Sequence, residues 1–245
     1  MKSCTIQYLP DLDYSGTEAL NTICSNLIFA GRNMKKIVFT SCSAGDGKSF
    51  MVIHAAVNLA QRGKKVCIVD ADLRRSMLIR NYDIQTTEEW KGLAHYLAGY
   101  ESLENVLYET NISGLSFIPI GRDIVNSVQL LDSAALVDLL EMLSKDFDIV
   151  LVDAPPVGLV IDSAVIAKHC DGCVMIAEYN TTKRREMRDA VRQIEQSGCP
   201  ILGCVINNVK FDSISAKRYY NRGYYTHYYS KYYTKDGKRT KKSTK

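Results

Sequence analysis

The 245-residue chain alternates short, almost wholly apolar runs with longer amphipathic stretches. The apolar runs, rich in Val, Ile and Leu, fall at Lys36–Thr40, Val66–Asp70, Leu115–Ile120, Ile149–Asp153, Cys173–Ala177 and Ile201–Ile206. Their length and β-branched content predict strands buried on both faces. Helical spacing of apolar positions appears near Gly47–Gln61, Ala134–Lys145, Ser163–Lys168 and Lys183–Gln196, with a further helix expected over Thr17–Ala30. The stretch Asn81–Glu101 is less regular and predicts one short helix near Leu93–Ala98. Strands alternating with helices specify an α/β fold, a doubly wound, mostly parallel sheet with helices on both faces. Beyond Val209 the rhythm stops and Tyr, Lys, Arg and Gly take over. No core can form there, and a flexible tail is expected. The chain thus divides into an N-terminal arm and helix (1–32), an α/β domain (33–210) and a tail (211–245).

Composition narrows the class. With 46% hydrophobic and 24% charged residues, the chain is ordinary for a soluble globular protein. No apolar run reaches the roughly 18 residues that would span a bilayer. Residues Met1–Asp13 lack the apolar stretch of a secretory signal, so a cytoplasmic location is expected. Of the eight cysteines, Cys67, Cys173, Cys199 and Cys204 lie in apolar strand-like segments, where a free thiol acts as a small hydrophobe. Cys170 and Cys173 form a lone CxxC without a second pair, which argues against a zinc or redox site.

Charge is distributed unevenly. From Lys217 onward ten Lys/Arg stand against one acid, Asp236, a net +9, so the rest of the chain carries −5 within the total of +4. A mildly acidic body bears a strongly basic tail.

The candidate chemistry begins after the first long strand. Ser43-Ala-Gly-Asp-Gly-Lys-Ser49 places a glycine-containing loop between a strand and a helix. Successive backbone N–H groups there, with the helix N-terminus, make a concave anion site, so the loop predicts a P-loop NTPase binding Mg-ATP. Gly45 and Gly47 allow the turns, Lys48 would reach the β- and γ-phosphates, and the Ser49 hydroxyl would ligate Mg²⁺. Ala44, Asp46 and Phe50 complete the expected nucleotide-binding stretch. The motif's usual first glycine is replaced by Cys42. Two later strands end in acids, Val66–Asp70 followed by Ala71 and Asp72, and Ile149–Asp153 followed by Ala154 and two prolines. In a parallel sheet the carboxyl ends of strands line one edge, so Asp70, Asp72 and Asp153 should converge beside the phosphates.

These residues together resemble the bacterial tyrosine kinases, P-loop autokinases tied to capsular and exopolysaccharide production. The resemblance rests on the Ala-Gly-Asp-Gly-Lys-Ser loop, the Val-Asp-Ala-Asp-Leu-Arg-Arg and Val-Asp-Ala-Pro-Pro strand ends, and a terminal tyrosine cluster. It covers about Glu18–Asn207 plus the tail. It implies that Lys48 and Ser49 are the Walker A pair, that Asp70 is the base for a tyrosine hydroxyl, and that Asp72 and Asp153 support Mg²⁺. Arg74 closes the second motif, and Asn207 matches an adenine-contacting position. The implied partners are a membrane-embedded activator, a cognate tyrosine phosphatase and a homo-oligomer, with the kinase held at the inner membrane face by its activator. Two departures stand out. The family's oligomerisation motif places arginines three and six residues after a glutamate, but here Glu18 is followed by Asn21 and Cys24, so that bidentate contact is missing. The loop Gly121–Ser127 also lacks the family's proline.

The tail fits the phosphoacceptor role. Tyr219, Tyr220, Tyr224, Tyr225, Tyr228, Tyr229, Tyr232 and Tyr233 form four pairs among basic residues. Each phosphate adds about −1.5 to −2 charges at neutral pH, so five or six would cancel the tail's charge. A basic, aromatic tail also suits nucleic acid or acidic lipid, but the upstream motifs favour phosphorylation, and nucleic acid is not the expected partner. The competing enzyme class is a partitioning or positioning ATPase of the deviant Walker type. Such proteins carry an extra lysine where this chain has Ser43. An iron–sulfur ATPase would need a bridging cysteine pair, for which only Cys170/Cys173 is available.

Overall fold

Six long strands form where the apolar runs place them, in a computed structural model that describes residues 2–31, 33–122 and 127–209. In chain order the elements begin β1 (Lys2–Ser3), β2 (Thr5–Ile6), α1 (Tyr14–Phe29), β3 (Lys36–Ser41), α2 (Lys48–Gln61) and β4 (Val66–Asp70). Next come α3 (Leu78–Asn81), β5 (Ile84–Gln85), α4 (Leu93–Leu97), α5 (Leu103–Val106), β6 (Tyr108–Glu109) and β7 (Leu115–Ile118). The remainder is α6 (Ser127–Leu131), α7 (Ala134–Asp146), β8 (Ile149–Asp153), α8 (Asp162–Ala167), β9 (Gly172–Glu178), α9 (Arg184–Gln196) and β10 (Ile201–Asn207). The tyrosine-rich tail and most of the loop 121–127 lie outside the described residues.

The main sheet runs β1-β6-β7-β4-β8-β3-β9-β10. Every pairing is parallel except β6 with β7. From β3 the chain crosses to β4 on one side, and from β8 it crosses over β3 to β9 on the other. The order therefore reverses at the carboxyl end of β3, where a crevice opens between the outgoing connections.

Alternation along the strands divides the core in two. Ile37 and Phe39 of β3, Ile68 of β4 and Leu151 of β8 pack with α1 and α2, while Val38, Val69, Val150 and Val152 pack with α4 and α6–α9. Helix α2 is buried along most of its surface by Met51, Val52, Ile53, Ala55, Ala56 and Leu59 between the sheet and α1. This is the central helix of the phosphate loop, so the loop is anchored to the best-packed part of the fold.

Two expectations shift. The strand expected to reach Ile120 stops at Ile118, because Pro119 has no N–H to give the ladder. The carbonyls of Pro119 and Ile120 instead accept from Leu93 N and Ala94 N, at 2.7 and 3.0 Å, and cap α4. Cys67, Cys173 and Cys199 are buried as expected, but Cys204 is exposed, because β10 is an edge strand.

Helix α1 shows what replaced the missing arginines. Asn21 Oδ1 accepts from Asn58 Nδ2 at 3.0 Å and from Arg62 Nη2 at 2.9 Å, and Arg62 Nη1 reaches Ser25 Oγ at 3.0 Å. Asn21 thus ties α1 to α2 within the chain. Cys24 is wholly buried, its thiol facing the Ala55 carbonyl at 3.8 Å. An arginine there would be a cation without a partner in a packed helix interface. Cys24→Arg is expected to lower stability by about 3–5 kcal/mol, read from the urea midpoint.

Candidate active site

The loop after β3 folds back on itself. Gly45 and Gly47 adopt φ of 92° and 93°, a left-handed conformation that side chains rarely tolerate. The demand at Gly47 is also spatial, since a Cβ there would lie 2.0 Å from Asn207 Nδ2. Asp46 is buried, and its carboxylate accepts from Ser43 N at 2.9 Å. Asn207, the last residue of β10, donates from Nδ2 to the Asp46 carbonyl at 3.1 Å. A second brace comes from the β8–α8 connection, where Gly158 lies so close to Cys42 that a Cβ would sit 2.2 Å from its carbonyl oxygen. Ala44 and Gly45 stay exposed at the loop tip, while Lys48 opens α2 and is largely buried. The Phe50 ring packs against His54, tilted by 44° with 4.2 Å between centroids.

The predicted acids do converge. Strands β4 and β8 pair so that Asp70 lies opposite Asp153, and Ala71 N donates to the Asp153 carbonyl at 2.9 Å. Both carboxylates are buried, and Oδ1 of each has no hydrogen-bond partner. Asp70 Oδ2 accepts from Ser76 Oγ, and the Ser49 hydroxyl lies near Asp153. Asp72, half-buried, accepts from Arg75 N at 3.2 Å. The tyrosines expected as phosphoacceptors, Tyr219–Tyr233, lie outside the described residues.

Arg74 has a partner that motif reading did not provide. Its Nε and Nη2 each lie 3.0 Å from the two oxygens of Asp162, a bidentate pair at the start of α8. Asp162 is wholly buried and also accepts from Ser127 Oγ of α6. The loop carrying Asp72 is thereby fastened to two helices, α6 and α8. Asp162 and Ser127 are 35 residues apart and carry no motif, and Ser76 sits in no recognisable pattern, so only the folded geometry finds them.

Known proteins with this arrangement can now be compared. Residues 34–188 match the family described as an AAA domain. Tyrosine-protein kinase CpsD of Streptococcus agalactiae is 36% identical over 206 residues, covering 84% of this chain and 89% of that protein. The chain belongs to the bacterial tyrosine-kinase family. The kinase domain of Escherichia coli tyrosine kinase ETK is similar with a TM-score of 0.73 and 29% identity, covering 80% of this chain and 78% of that one. The septum site-determining protein MinD of Pyrococcus horikoshii, solved with Mg-ADP, shares the fold alone, at 22% identity, TM-score 0.60 and coverages of 70% and 69%. This tyrosine kinase is thus built on the nucleotide-binding P-loop fold.

Electrostatics of the kinase site follow from burying like charges together. Burial pushes the Asp70 carboxyl well above its ordinary range, and the neighbouring Asp153 pushes it further. Asp153 is raised by burial to about 6, held from rising more by the Lys48 ammonium and the Ser49 hydroxyl. Asp72 is raised by burial and pulled back by Lys48. The buried, unpartnered Oδ1 of Asp153 beside the Ser49 hydroxyl, with Asp72 at the same strand-end edge, is a donor set that fits Mg²⁺, and the unpartnered Oδ1 of Asp70 is left to accept a proton.

Two outcomes follow. A carboxyl whose pKa is higher folded than unfolded takes up protons on folding, so its contribution to stability is lost as pH rises from about 4 through 6. Asp153→Asn removes that loss, so in thermal melts without nucleotide the variant should gain on wild type as pH rises. The gain should reach up to about 3 kcal/mol near pH 7, at about 1.4 kcal/mol per pH unit. Arg74→Lys keeps the charge but loses the fork on Asp162. Measured turnover should fall roughly tenfold with little change in nucleotide KM, because the Asp72 loop loosens while the phosphate loop stays intact.

Proposed function

We propose that this kinase transfers the γ-phosphoryl group of ATP to tyrosines of its own C-terminal cluster, Tyr219–Tyr233. The observation that carries this reading is the in-register pair Asp70/Asp153 beside Lys48, at the sheet edge where β10 leads into the tyrosine-rich segment. Backbone N–H groups of Ala44–Phe50 hold the phosphates, Lys48 neutralises charge on the β- and γ-groups, and Asn207 lies beside the loop for adenine. Ser49, Asp153 and Asp72 would hold Mg²⁺, which when bound would supply charge neutralisation at the phosphates. Asp70 accepts the tyrosine proton as its oxygen bonds to phosphorus, leaving ADP and phosphotyrosine. Its raised pKa makes it a better proton acceptor than an ordinary surface aspartate.

The wider role proposed is regulation of capsular or exopolysaccharide synthesis and export. A membrane-embedded activator stimulates the kinase at the inner membrane face, and a tyrosine phosphatase resets it. Among the described residues no helix is long and apolar enough to cross a membrane, which suits a split between activator and kinase. In domain terms, residues 33–210 are the catalytic unit and 211–245 the acceptor. The fold shared with MinD supports a second reading, a positioning ATPase, but those proteins need a lysine where Ser43 stands. Here the Ser43 N–H is taken up by Asp46 within the same chain.

Incubation with γ-labelled ATP and the activator's cytoplasmic end should label wild type on the tail, mapped by mass spectrometry. Lys48→Met should label at least about a hundredfold less. Full tail labelling of Lys48→Met would refute the kinase assignment, and equal labelling after deletion of 211–245 would refute the tail as acceptor. ATP-driven dimerisation without any labelling would favour the ATPase.

A further inference from the structure

Asp70 and Asp153 stand side by side on β4 and β8, yet their surroundings differ. Asp153 lies near the Ser49 hydroxyl and the Lys48 ammonium. Asp70 is held instead by the connection between β4 and α3. Ser76 Oγ donates to Asp70 Oδ2, and the Asp72 backbone N–H also faces that carboxylate. Asp70 Oδ1 is buried and has no hydrogen-bond partner. One oxygen of the carboxylate is committed and the other is open.

The direction of the Ser76 bond is fixed from both ends. Leu78 N donates to Ser76 Oγ at 3.3 Å, which occupies a lone pair of the hydroxyl oxygen. A serine hydroxyl carries one proton and an ionised carboxylate can only accept, so that proton goes to Asp70. Ser76 in turn sits on a secured support. Leu78 is wholly buried and Tyr82 nearly so, both in the half of the core that contains α1 and α2. Asn81 N and Tyr82 N donate to the carbonyls of Met77 and Leu78, at 2.8 and 3.1 Å, which closes α3. Ile84 then lies opposite Ile6, where β5 pairs with β2. An untethered aspartate would turn easily about its last bond, because that torsion has a broad, two-fold well.

We infer that Ser76 is a positioning residue for phosphoryl transfer: its hydroxyl ties Asp70 by Oδ2, so that Oδ1 is the oxygen presented to the acceptor hydroxyl. As the tyrosine oxygen bonds to phosphorus, its proton passes to Oδ1, while the Ser76 proton stays on its own oxygen. The contact also separates the two aspartates by task. Asp70, tied to Ser76, is kept from turning to join Asp153 beside Ser49. The inference rests on the reading of Asp70 as proton acceptor, and it extends that reading by naming the group that orients it.

Initial rates of tyrosine phosphorylation on the full chain with γ-labelled Mg-ATP test this, counting label on any tyrosine, alongside calorimetric Mg-ATP affinity. Ser76→Ala should lower the saturated rate about tenfold and leave the KM and affinity for ATP within about twofold, the Asp72 N–H remaining as a partial hold. Ser76→Thr restores the hydroxyl and should recover the rate to within about threefold of wild type. Asp70→Asn should itself fall at least about a hundredfold. On that background Ser76→Ala should cost less than about twofold more, because the two residues act as one unit. A wild-type rate in Ser76→Ala overturns the inference, as does a Thr variant that is folded by its melting curve and fails to recover. A further tenfold loss on the Asp70→Asn background overturns it too, as does a parallel loss of ATP affinity, which would make Ser76 a support of the loop alone. Full labelling by Asp70→Asn refutes Asp70 as the base, and the inference with it. Loss in Asp70→Asn with a wild-type rate in Ser76→Ala removes the inference and leaves that reading standing.

Discussion

The burial of Asp70 against Asp153 is the constraint around which the rest of the site is arranged. Two carboxylates at matched positions on adjacent strands repel each other and lose water, and each leaves an oxygen without a partner. A fold would not keep such a pair for its own stability, since neutral residues of that shape would pack there at less cost. The pair makes sense as a socket for positive charge. Lys48 supplies part of it permanently, and a bound divalent cation with its nucleotide would supply the remainder. Ligand affinity and fold stability are then coupled, because whatever satisfies those oxygens binds the folded chain and not the unfolded one.

A socket built from separate strand ends needs its loops fixed, and three contacts do this. Asn207 grips the phosphate loop through the Asp46 carbonyl, Gly158 lies against Cys42, and Arg74 clamps the Asp72 loop to Asp162. Each joins segments far apart in sequence, so the geometry at the phosphates depends on the whole crossover pattern. The Asn207 contact also explains why Gly47 is irreplaceable on two counts, its left-handed backbone and the amide that fills the space above it. Preorganisation of this kind fixes the reacting groups before substrate arrives, which is where most of the rate advantage in phosphoryl transfer arises.

The parts legible in the sequence were those with a strong period or a fixed spacing. The long strands and α2, α7 and α9 announced themselves by apolar patterning, and the phosphate loop and strand-end acids by their position in it. Elements such as β1, β2, β5 and β6 were not legible, because two-residue strands carry no period and exist only through their partners. Leu115–Ile120 was overextended because its apolar pattern runs through Pro119, whose effect is on the ladder and not on hydrophobicity. In the site, the acids could be read but the groups that orient them could not. Ser76 and the Arg74–Asp162–Ser127 junction are side-chain contacts whose pairing no spacing encodes.

The charge asymmetry takes on a physical meaning once the fold is known. A net −5 body with a +9 tail would ordinarily attract itself, and a tail pinned to its own body would be a poor acceptor. At cellular salt the Debye length is about 8 Å, so charge acts on the tail mainly at contact distance. Adding phosphate reverses the sign of the tyrosine segment alone, while the lysine-rich end beyond Lys235 keeps its own. One reaction can thus change the sign of that segment without altering the sequence of the folded domain or the charge of the lysine-rich end.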